Sequence, residues 1–263
     1  MKKLRFLVAG ACVMGALVSC EKEEVTTQDT VSQNQTKEHT SGIGFGGSLA
    51  QFTIVEDYLY TIDYKTLNIF HLGDAEHPAL TESINMPIGM ETVFHENGRL
   101  FIGANDGVHI YDISNPRSPQ ELSQFDHVTS CDPVVANDQY AFATLRGGTE
   151  CAGSLSQLDI IDISNIHSPH LVAERMLINP YGLGLSKADQ DIIYVCDGYA
   201  GLKAYNIEHA FSPDLVMDMA EIEALDVITE DDGNLIVLSR NGIYQFDASQ
   251  PISLVQKSFI PVQ

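Results

Sequence analysis

A short unit recurs along this chain and restricts the folds that it can adopt. The segments His109–Pro119 and Asp159–Pro169 share the pattern Ile-x-Asp-Ile-Ser-Asn-x-x-Ser-Pro, and weaker copies begin at Asn68, Lys203 and Tyr244. The central positions of the five copies lie 41 to 50 residues apart, at His71, Asp112, Asp162, Asn206 and Asp247. A repeat of roughly 40–45 residues is typical of the four-stranded blades of a β-propeller.

The residues between the copies predict strands and tight turns. Dense apolar runs such as Leu100–Ile102 and Ile192–Val195 are bounded by Asn-Gly or Asp-Gly pairs. Asn97-Gly98 precedes the first of these runs, and Asp197-Gly198 follows the second. These pairs are the strongest short hairpin signals, because both central residues of the favoured turn need positive φ. We therefore predict an all-β fold, a β-propeller with five four-stranded blades.

The repeats resemble the LVIVD repeat, a β-propeller repeat of bacterial and archaeal surface proteins. The matching residues are Val108–Pro119 and Leu158–Pro169, with weaker matches at Leu202–Pro213 and Leu67–Pro78. The resemblance extends over roughly residues 48–260. It implies a propeller outside the cytoplasm and no particular enzyme. His71 and Asn206 depart from the Asp of the pattern, and Leu254 stands where the other copies have Pro.

The repeated acids have a structural interpretation. Asp112 and Asp162 stand where a strand ends, and an Asp side chain there accepts hydrogen bonds from the backbone N–H groups of the following turn. Because equivalent polar residues recur in the other copies, we interpret them as turn residues and not as catalytic groups.

The N-terminus predicts export and lipidation. Lys2, Lys3 and Arg5 precede an apolar run over residues 6–18, which is too short to cross a bilayer as a helix. The sequence Leu17-Val18-Ser19-Cys20 resembles the lipobox of bacterial lipoproteins. We expect residues 1–19 to be a cleaved signal peptide and Cys20 to carry the lipid that anchors the protein to the membrane.

The residues after Cys20 predict a tether. Residues 20–41 are rich in Glu, Gln, Thr and Ser and contain few apolar residues, so this segment lacks the apolar side chains that a folded core needs. The propeller domain is predicted over residues 42–263. Lys22-Glu23-Glu24 resembles a signal that moves Gram-negative lipoproteins to the cell surface, although an ordinary charged linker has the same composition. We expect the outer membrane as the location, facing either the periplasm or the cell exterior.

Charge and missing motifs exclude several functions. The net charge of −22 opposes binding to nucleic acid, whose phosphates are recognised by Lys and Arg. No phosphate-binding loop, nucleophile elbow or His-Glu-x-x-His motif occurs, and no CxxC pair suggests a zinc site. We therefore expect neither a cofactor nor a metal.

Three cysteines remain beyond the predicted anchor. Cys131 precedes the insertion over residues 145–157 of the third repeat, and Cys151 lies within that insertion. Both are expected on the same propeller face, so we predict a disulfide between them. Cys196 ends a dense apolar strand and is expected to be a buried thiol.

The predicted topology also indicates a candidate binding rim. Loops between the second and third strands, and loops between blades, share one propeller face. They are expected to present seven charged residues, Asp63, Glu91, Asp106, Asp132, Arg146, Asp197 and Arg240. The leading hypothesis is a noncatalytic module that binds a protein or a glycan at this face. The alternative is a carbohydrate-active hydrolase that uses two carboxyl groups at the channel mouth.

Overall fold

The computed structural model describes residues 47–74, 76–87, 89–126, 133–148 and 155–262. These residues form β-strands and no helix, and the strands form five four-stranded antiparallel sheets arranged as a propeller. The predicted fold class and the number of blades are thereby confirmed. The predicted signal peptide, Cys20 and the tether over residues 20–41 lie outside the described residues.

Each blade takes four consecutive strands. The strands of blades one and two are β1 (Phe52–Val55), β2 (Tyr58–Asp63), β3 (Thr66–His71), β4 (Ala79–Asn85), β5 (Met90–Glu96), β6 (Arg99–Ala104), β7 (Gly107–Asp112) and β8 (Gln120–Asp126). Blade three comprises β9 (Val134–Ala136), β10 (Tyr140–Leu145), β11 (Gln157–Asp162) and β12 (His170–Met176). Blades four and five comprise β13 (Leu183–Leu185), β14 (Ile192–Cys196), β15 (Leu202–Asn206), β16 (Asp214–Met219), β17 (Ala224–Thr229), β18 (Asn234–Ser239), β19 (Gly242–Asp247) and β20 (Val255–Pro261).

The first strand of each blade lies at the central channel and the fourth lies outside. The upper face contains the turns between second and third strands and the connections between blades. The lower face contains the turns between first and second strands and the loops between third and fourth strands. The innermost strands β1, β5, β9, β13 and β17 therefore run from the upper to the lower face.

The hairpin signals correspond to observed turns. Asn97 and Gly98 join β5 to β6 with φ of 46° and 70°, as a turn with two left-handed residues requires. Gly107 opens β7 with a φ of 150°, and a Cβ there would lie 2.1 Å from the Phe125 carbonyl oxygen. Glycine at this position lets the outer strand β8 approach closely.

The repeated motif forms the same structure in successive blades. Asp112 Oδ1 accepts a hydrogen bond from the Ser114 N–H at 3.0 Å, and Asp162 Oδ1 accepts one from the Ser164 N–H at 2.8 Å. Asn206 makes the equivalent bond to Glu208 at 2.9 Å. In every blade, the pairing of the third and fourth strands shifts register just before this position. The interpretation of these residues as turn residues is confirmed.

Buried apolar clusters join neighbouring blades. One cluster around Tyr60 and Leu100 joins blades one and two, and another around Phe101 and Ala141 joins blades two and three. Two more join blades three to four and four to five. In the described part of the chain, no such cluster joins blade five to blade one.

A comparison of equivalent positions in the repeats also shows lower burial on the faces that blades one and five turn toward each other. Phe70 of blade one is partly exposed, whereas at most 6% of the surface is exposed at the equivalent residues of the other four blades, Tyr111, Ile161, Tyr205 and Phe246. Ile236 of blade five is also partly exposed, whereas its four equivalents are buried, namely Tyr60, Phe101, Phe142 and Tyr194. The outward faces of blades one and five are therefore less buried than the faces that join the other blades.

Candidate functional site

The upper face carries the predicted rim residues that the structure describes. Strand ends and turns place six of them there, namely Asp63, Glu91, Asp106, Arg146, Asp197 and Arg240. Asp132 lies outside the described residues, and so do Cys131 and Cys151, so their predicted roles stay predictions. Cys196 is a buried free thiol, as expected.

Several of the rim acids stabilise local structure. Asp197 is only 1% exposed, and its Oδ1 accepts hydrogen bonds from the backbone N–H groups of Ile178 and Asn179 at 2.9 and 2.7 Å. Its Oδ2 accepts a hydrogen bond from Lys203 Nζ at 2.8 Å. Asp197 therefore connects a loop between blades to its own hairpin, and its carboxylate is turned away from solvent.

Two other acids take part in turns. Asp63 Oδ1 accepts the Lys65 N–H at 3.1 Å. Asp106 Oδ1 lies 3.0 Å from His109 Nε2, and His109 is buried. These contacts explain why the acids stand at these positions, while about half of the Asp106 side chain remains exposed.

Arg146 and Tyr181 form the most distinctive contact of the upper face. The Arg146 guanidinium carbon lies 4.2 Å from the centre of the Tyr181 ring, which is a cation–π geometry. The Tyr181 backbone is fixed on both sides, since its N–H donates to the Cys196 carbonyl at 2.8 Å and its carbonyl accepts from Thr144 Oγ1 at 2.5 Å. Tyr181 is thus presented by a firmly bonded loop.

Further side chains extend this surface. Arg240 Nε donates to Glu223 Oε1 at 2.6 Å, and the pKa of Arg240 is raised by Glu223 and, to a lesser extent, by Tyr181. Ile178 and Tyr199 lie on the adjoining loops and are 59% and 64% exposed. We call these residues, namely Arg146, Ile178, Tyr181, Tyr199 and Arg240, the Tyr181 patch.

Asp226 lies at the upper end of the channel. A Cβ added to Gly47 or Gly182 would lie 2.3 or 2.1 Å from its carboxylate oxygens, so a larger residue at either position would displace the carboxylate. Burial raises the pKa of Asp226 to about 6, although hydrogen bonds from the Val227 N–H and the Ser48 hydroxyl oppose the shift. Ser48 Oγ also accepts the Leu183 N–H at 2.7 Å. The segment over residues 47–50 thereby crosses the channel beside Asp226.

Below this segment the channel widens into a cavity of about 280 Å³. All five innermost strands contribute to its lining. About half of its lining residues are apolar, among them Phe52, Val93, Phe94, Val135, Leu183, Leu185 and Val227. The turn residues at its mouth are Asn97, Lys187, Gln190 and Asp231, which belong to the lower face. None of the predicted rim residues that the structure describes lines this cavity.

Charged and polar groups surround the lower mouth. Lys187 Nζ lies 4.0 Å from Asp231 Oδ1. Burial raises the pKa of Glu96, while Lys187 lowers it and Asp138 raises it further. Burial lowers the pKa of His95, and His95 Nε2 is a buried nitrogen without a hydrogen-bond partner in the described structure.

The sequence interpretation overlooked these lower-mouth residues. Of these residues only Asn97 was predicted to have a structural role, as part of the Asn97-Gly98 turn. The sequence did contain one signal. Three polar residues stand at the end of the first strand of blade two, and the first strand of each blade lies at the channel.

Within the described ranges, no group of three His, Cys, Asp or Glu side chains is arranged to hold a metal ion. The same residues contain no helix that is long and apolar enough to cross a membrane.

The fold and the repeats define the class of this protein as a β-propeller with LVIVD repeats. Residues 99–127 and 152–176 match the model of the LVIVD repeat, which supports the resemblance found in the motif. These segments include β6, β7 and β8 of blade two and β11 and β12 of blade three. No curated protein sequence matches the chain significantly.

Solved structures show the same architecture at low sequence identity. A protein from Lactobacillus plantarum is 14% identical, with a TM-score of 0.63, over 78% of this chain and 69% of that protein. A functionally unknown protein from Desulfotomaculum acetoxidans is 10% identical, with a TM-score of 0.64, over 84% and 72% of the two chains. The periplasmic gluconolactonase of Pseudomonas aeruginosa is 12% identical, with a TM-score of 0.59, over 79% and 68%. These similarities concern the fold alone.

Proposed function

We propose that this protein is a noncatalytic binding module that is anchored to the outer membrane by a lipid on Cys20. The Tyr181 patch is the observation that carries the binding proposal. Tyrosine and arginine are enriched among the residues that dominate binding energy at interfaces. Here a fixed tyrosine, a stacked arginine and exposed neighbours are combined on the face that the loops build.

The partner of this face is a protein or a glycan. An aromatic ring packs against the side chains of a protein or the apolar face of a sugar, and the arginines donate hydrogen bonds to oxygen acceptors of either partner. The acidity of the whole chain makes the two patch arginines, Arg146 and Arg240, locally distinctive.

A matched pair of variants tests the binding proposal. Tyr181→Ser removes the centre of the patch, and Phe211→Ser removes an aromatic side chain that is 70% exposed on the lower face. On a glycan array, and against candidate surface proteins, we expect Tyr181→Ser to weaken binding at least tenfold and Phe211→Ser to leave binding unchanged. Equal binding by both variants would refute a partner site at the Tyr181 patch.

Mass spectrometry and membrane fractionation test the anchor. We expect a mature N-terminus at Cys20 with covalent lipid, and we expect Cys20→Ser to release the protein from the membrane fraction. A mature protein that begins elsewhere, without lipid, would contradict this part of the proposal.

A hydrolase is the second candidate function, and Asp226 is the observation that favours it. A carboxyl group with a pKa of about 6 at the channel mouth fits the requirements of a general acid. The gluconolactonase among the structurally similar propellers makes lactones a reasonable addition to a glycoside screen. Turnover that disappears in Asp226→Asn would favour this candidate over the binding module.

A further inference from the structure

The lower-face cavity is a second site, separate from the Tyr181 patch. Ser48 and the chain around it lie between the cavity and the upper mouth, because Ser48 lines the cavity and bonds to Leu183 across the channel. A ligand therefore enters from the lower face, where Asn97, Lys187, Gln190 and Asp231 surround the opening.

The dimensions of the cavity suit one small ring. A volume of about 280 Å³ lies just below the range of about 300–1,000 Å³ that is typical of sites for drug-sized ligands. The apolar part of the wall includes Phe94 and Phe52, and Phe52 is 53% exposed. Such a wall suits the C–H face of a sugar ring, while the polar mouth suits its hydroxyl groups.

The charges at the mouth favour a neutral ligand. Among the described residues that line the mouth, Lys187 is the one lysine or arginine, and the nearby carboxyl groups of Asp231 and Glu96 offset its charge. An anionic ligand would meet two carboxyl groups, and a cationic ligand would meet the Lys187 ammonium. A hydroxyl group can donate a hydrogen bond to a carboxylate and accept one from an ammonium group. A carboxylate ligand can only accept, and an ammonium ligand can only donate.

His95 provides an independent indication of a ligand. Buried polar atoms in proteins nearly always have hydrogen-bond partners, and one without a partner calls for an explanation. His95 is one of the residues that line the cavity, yet its Nε2 is buried and has no partner among the described residues. A hydroxyl can pair with either tautomer of the imidazole once the ring turns toward the cavity, since a hydroxyl both donates and accepts.

From these observations we infer that the lower cavity binds a neutral sugar ring, either free or at the end of a glycan. Phe52 and Phe94 contact the apolar face of the ring. His95, Lys187 and Asp231 bond to its hydroxyl groups. The site is distinct from the partner surface on the upper face and does not depend on it.

Ligand-observed NMR and calorimetry on the full chain in detergent test this inference. The probes are neutral hexoses and their oligosaccharides, the corresponding uronic acids and the corresponding amino sugars. We expect saturable binding of at least one neutral sugar, with acids and amino sugars bound at least tenfold more weakly. Binding of only a charged analogue, or of none of the probes, would overturn the inference.

Three variants locate the binding. Phe52→Ser and His95→Leu are expected to weaken binding of the neutral sugar at least tenfold, while His77→Leu, an exposed histidine on the same face, leaves it unchanged. His95→Leu should not lower the melting temperature, because it replaces a polar group that lacks a partner by an apolar one. A destabilised His95→Leu variant that still binds the sugar would show that His95 is structural, and would refute its role in the site.

The upper-face variant separates this inference from the proposed function. Tyr181→Ser should retain full sugar binding at the lower cavity. If Tyr181→Ser abolished the sugar binding while Phe52→Ser did not, the sugar would belong to the upper face and the lower site would be disproved.

Discussion

Lys203 Nζ donates a hydrogen bond to Asp197 Oδ2 at 2.8 Å, and the two charged side chains are 11% and 1% exposed. The Lys203 ammonium also donates to the Ala200 carbonyl at 2.7 Å. Because Asp197 also accepts two backbone N–H groups, this pair fixes the β14–β15 hairpin to the loop that carries the Tyr181 patch.

Removal of the Asp197 carboxylate should be strongly destabilising. Asp197→Ala leaves the Lys203 ammonium buried without its partner, for which about 3–5 kcal/mol of unfolding free energy is the usual cost. Lys203→Met should cost less, since the Asp197 carboxylate keeps its two backbone donors. Urea unfolding followed by circular dichroism measures both, and is preferable to Trp fluorescence because the chain has no Trp. A loss below about 1 kcal/mol in Asp197→Ala would contradict the structural role.

Asp226 should make stability depend on pH between its unfolded and folded pKa values. The folded pKa is about 6 and the ordinary value is 3.8, so the folded state binds more protons in this interval. Stability therefore falls as the pH rises from about 4 to 6 and stays lower above it. The shift corresponds to about 3 kcal/mol at most.

Asp226→Asn should remove this dependence. The neutral amide keeps an acceptor for the Val227 N–H, so we expect a melting temperature at pH 8 above that of the wild type and a flatter profile from pH 4 to 6. Asp63→Asn, at an exposed turn, provides the control and should keep the wild-type profile. An Asp226→Asn variant that is less stable than the wild type at pH 8 would show that the charged form is the stabilised one.

The repeated acids should affect the pH dependence of stability in the direction opposite to Asp226. Hydrogen bonds from the Ser114 backbone and hydroxyl lower the pKa of Asp112, so its contribution is present above the unfolded pKa and is lost as the pH falls through the folded pKa. At pH 7, Asp112→Ala should cost about 1 kcal/mol of unfolding free energy.

Asp112→Asn is the matched comparison for this position. Blade four already uses Asn206 there with a bond of 2.9 Å, so we expect Asn to restore most of the loss at pH 7. Wild type and Asp112→Asn should converge in stability at acid pH. Equal losses in the Ala and Asn variants would mean that the side-chain bond contributes little.

The sequence allowed the fold to be predicted because each blade repeats local signals. The Asn97-Gly98 turn and the Asp112 and Asp162 motifs depend on neighbours a few residues away, so their structure follows from local chemistry. Asp197 illustrates what local signals omit. Its Asp-Gly pair looks like that of Asp106, but only the register of β14 and β15 brings Lys203 against it.

The lower cavity could not be predicted from the sequence for a similar reason. Phe52, His95 and Lys187 come from three different blades and meet only around the channel. Likewise, Phe70 has the same apolar character as its buried equivalents, so the composition of the repeat does not reveal that the outward face of blade one remains partly exposed.

The exposed face of blade five provides the last prediction. Ile236→Thr changes a partly exposed residue on the face turned toward blade one, whereas Ile110→Thr makes the same change at a residue of blade two that is 1% exposed. Ile110→Thr should cost about 2–4 kcal/mol, because apolar contacts are lost and a hydroxyl is buried.

Ile236→Thr should cost less than about 1 kcal/mol, since most of the buried contacts seen at the other blades are missing there. Urea unfolding of the two variants at matched concentrations gives the comparison. Equal losses would mean that the face of blade five is covered in solution, either by blade one or by another chain. The dependence of the midpoint on protein concentration would then distinguish the two, because only coverage by another chain follows mass action.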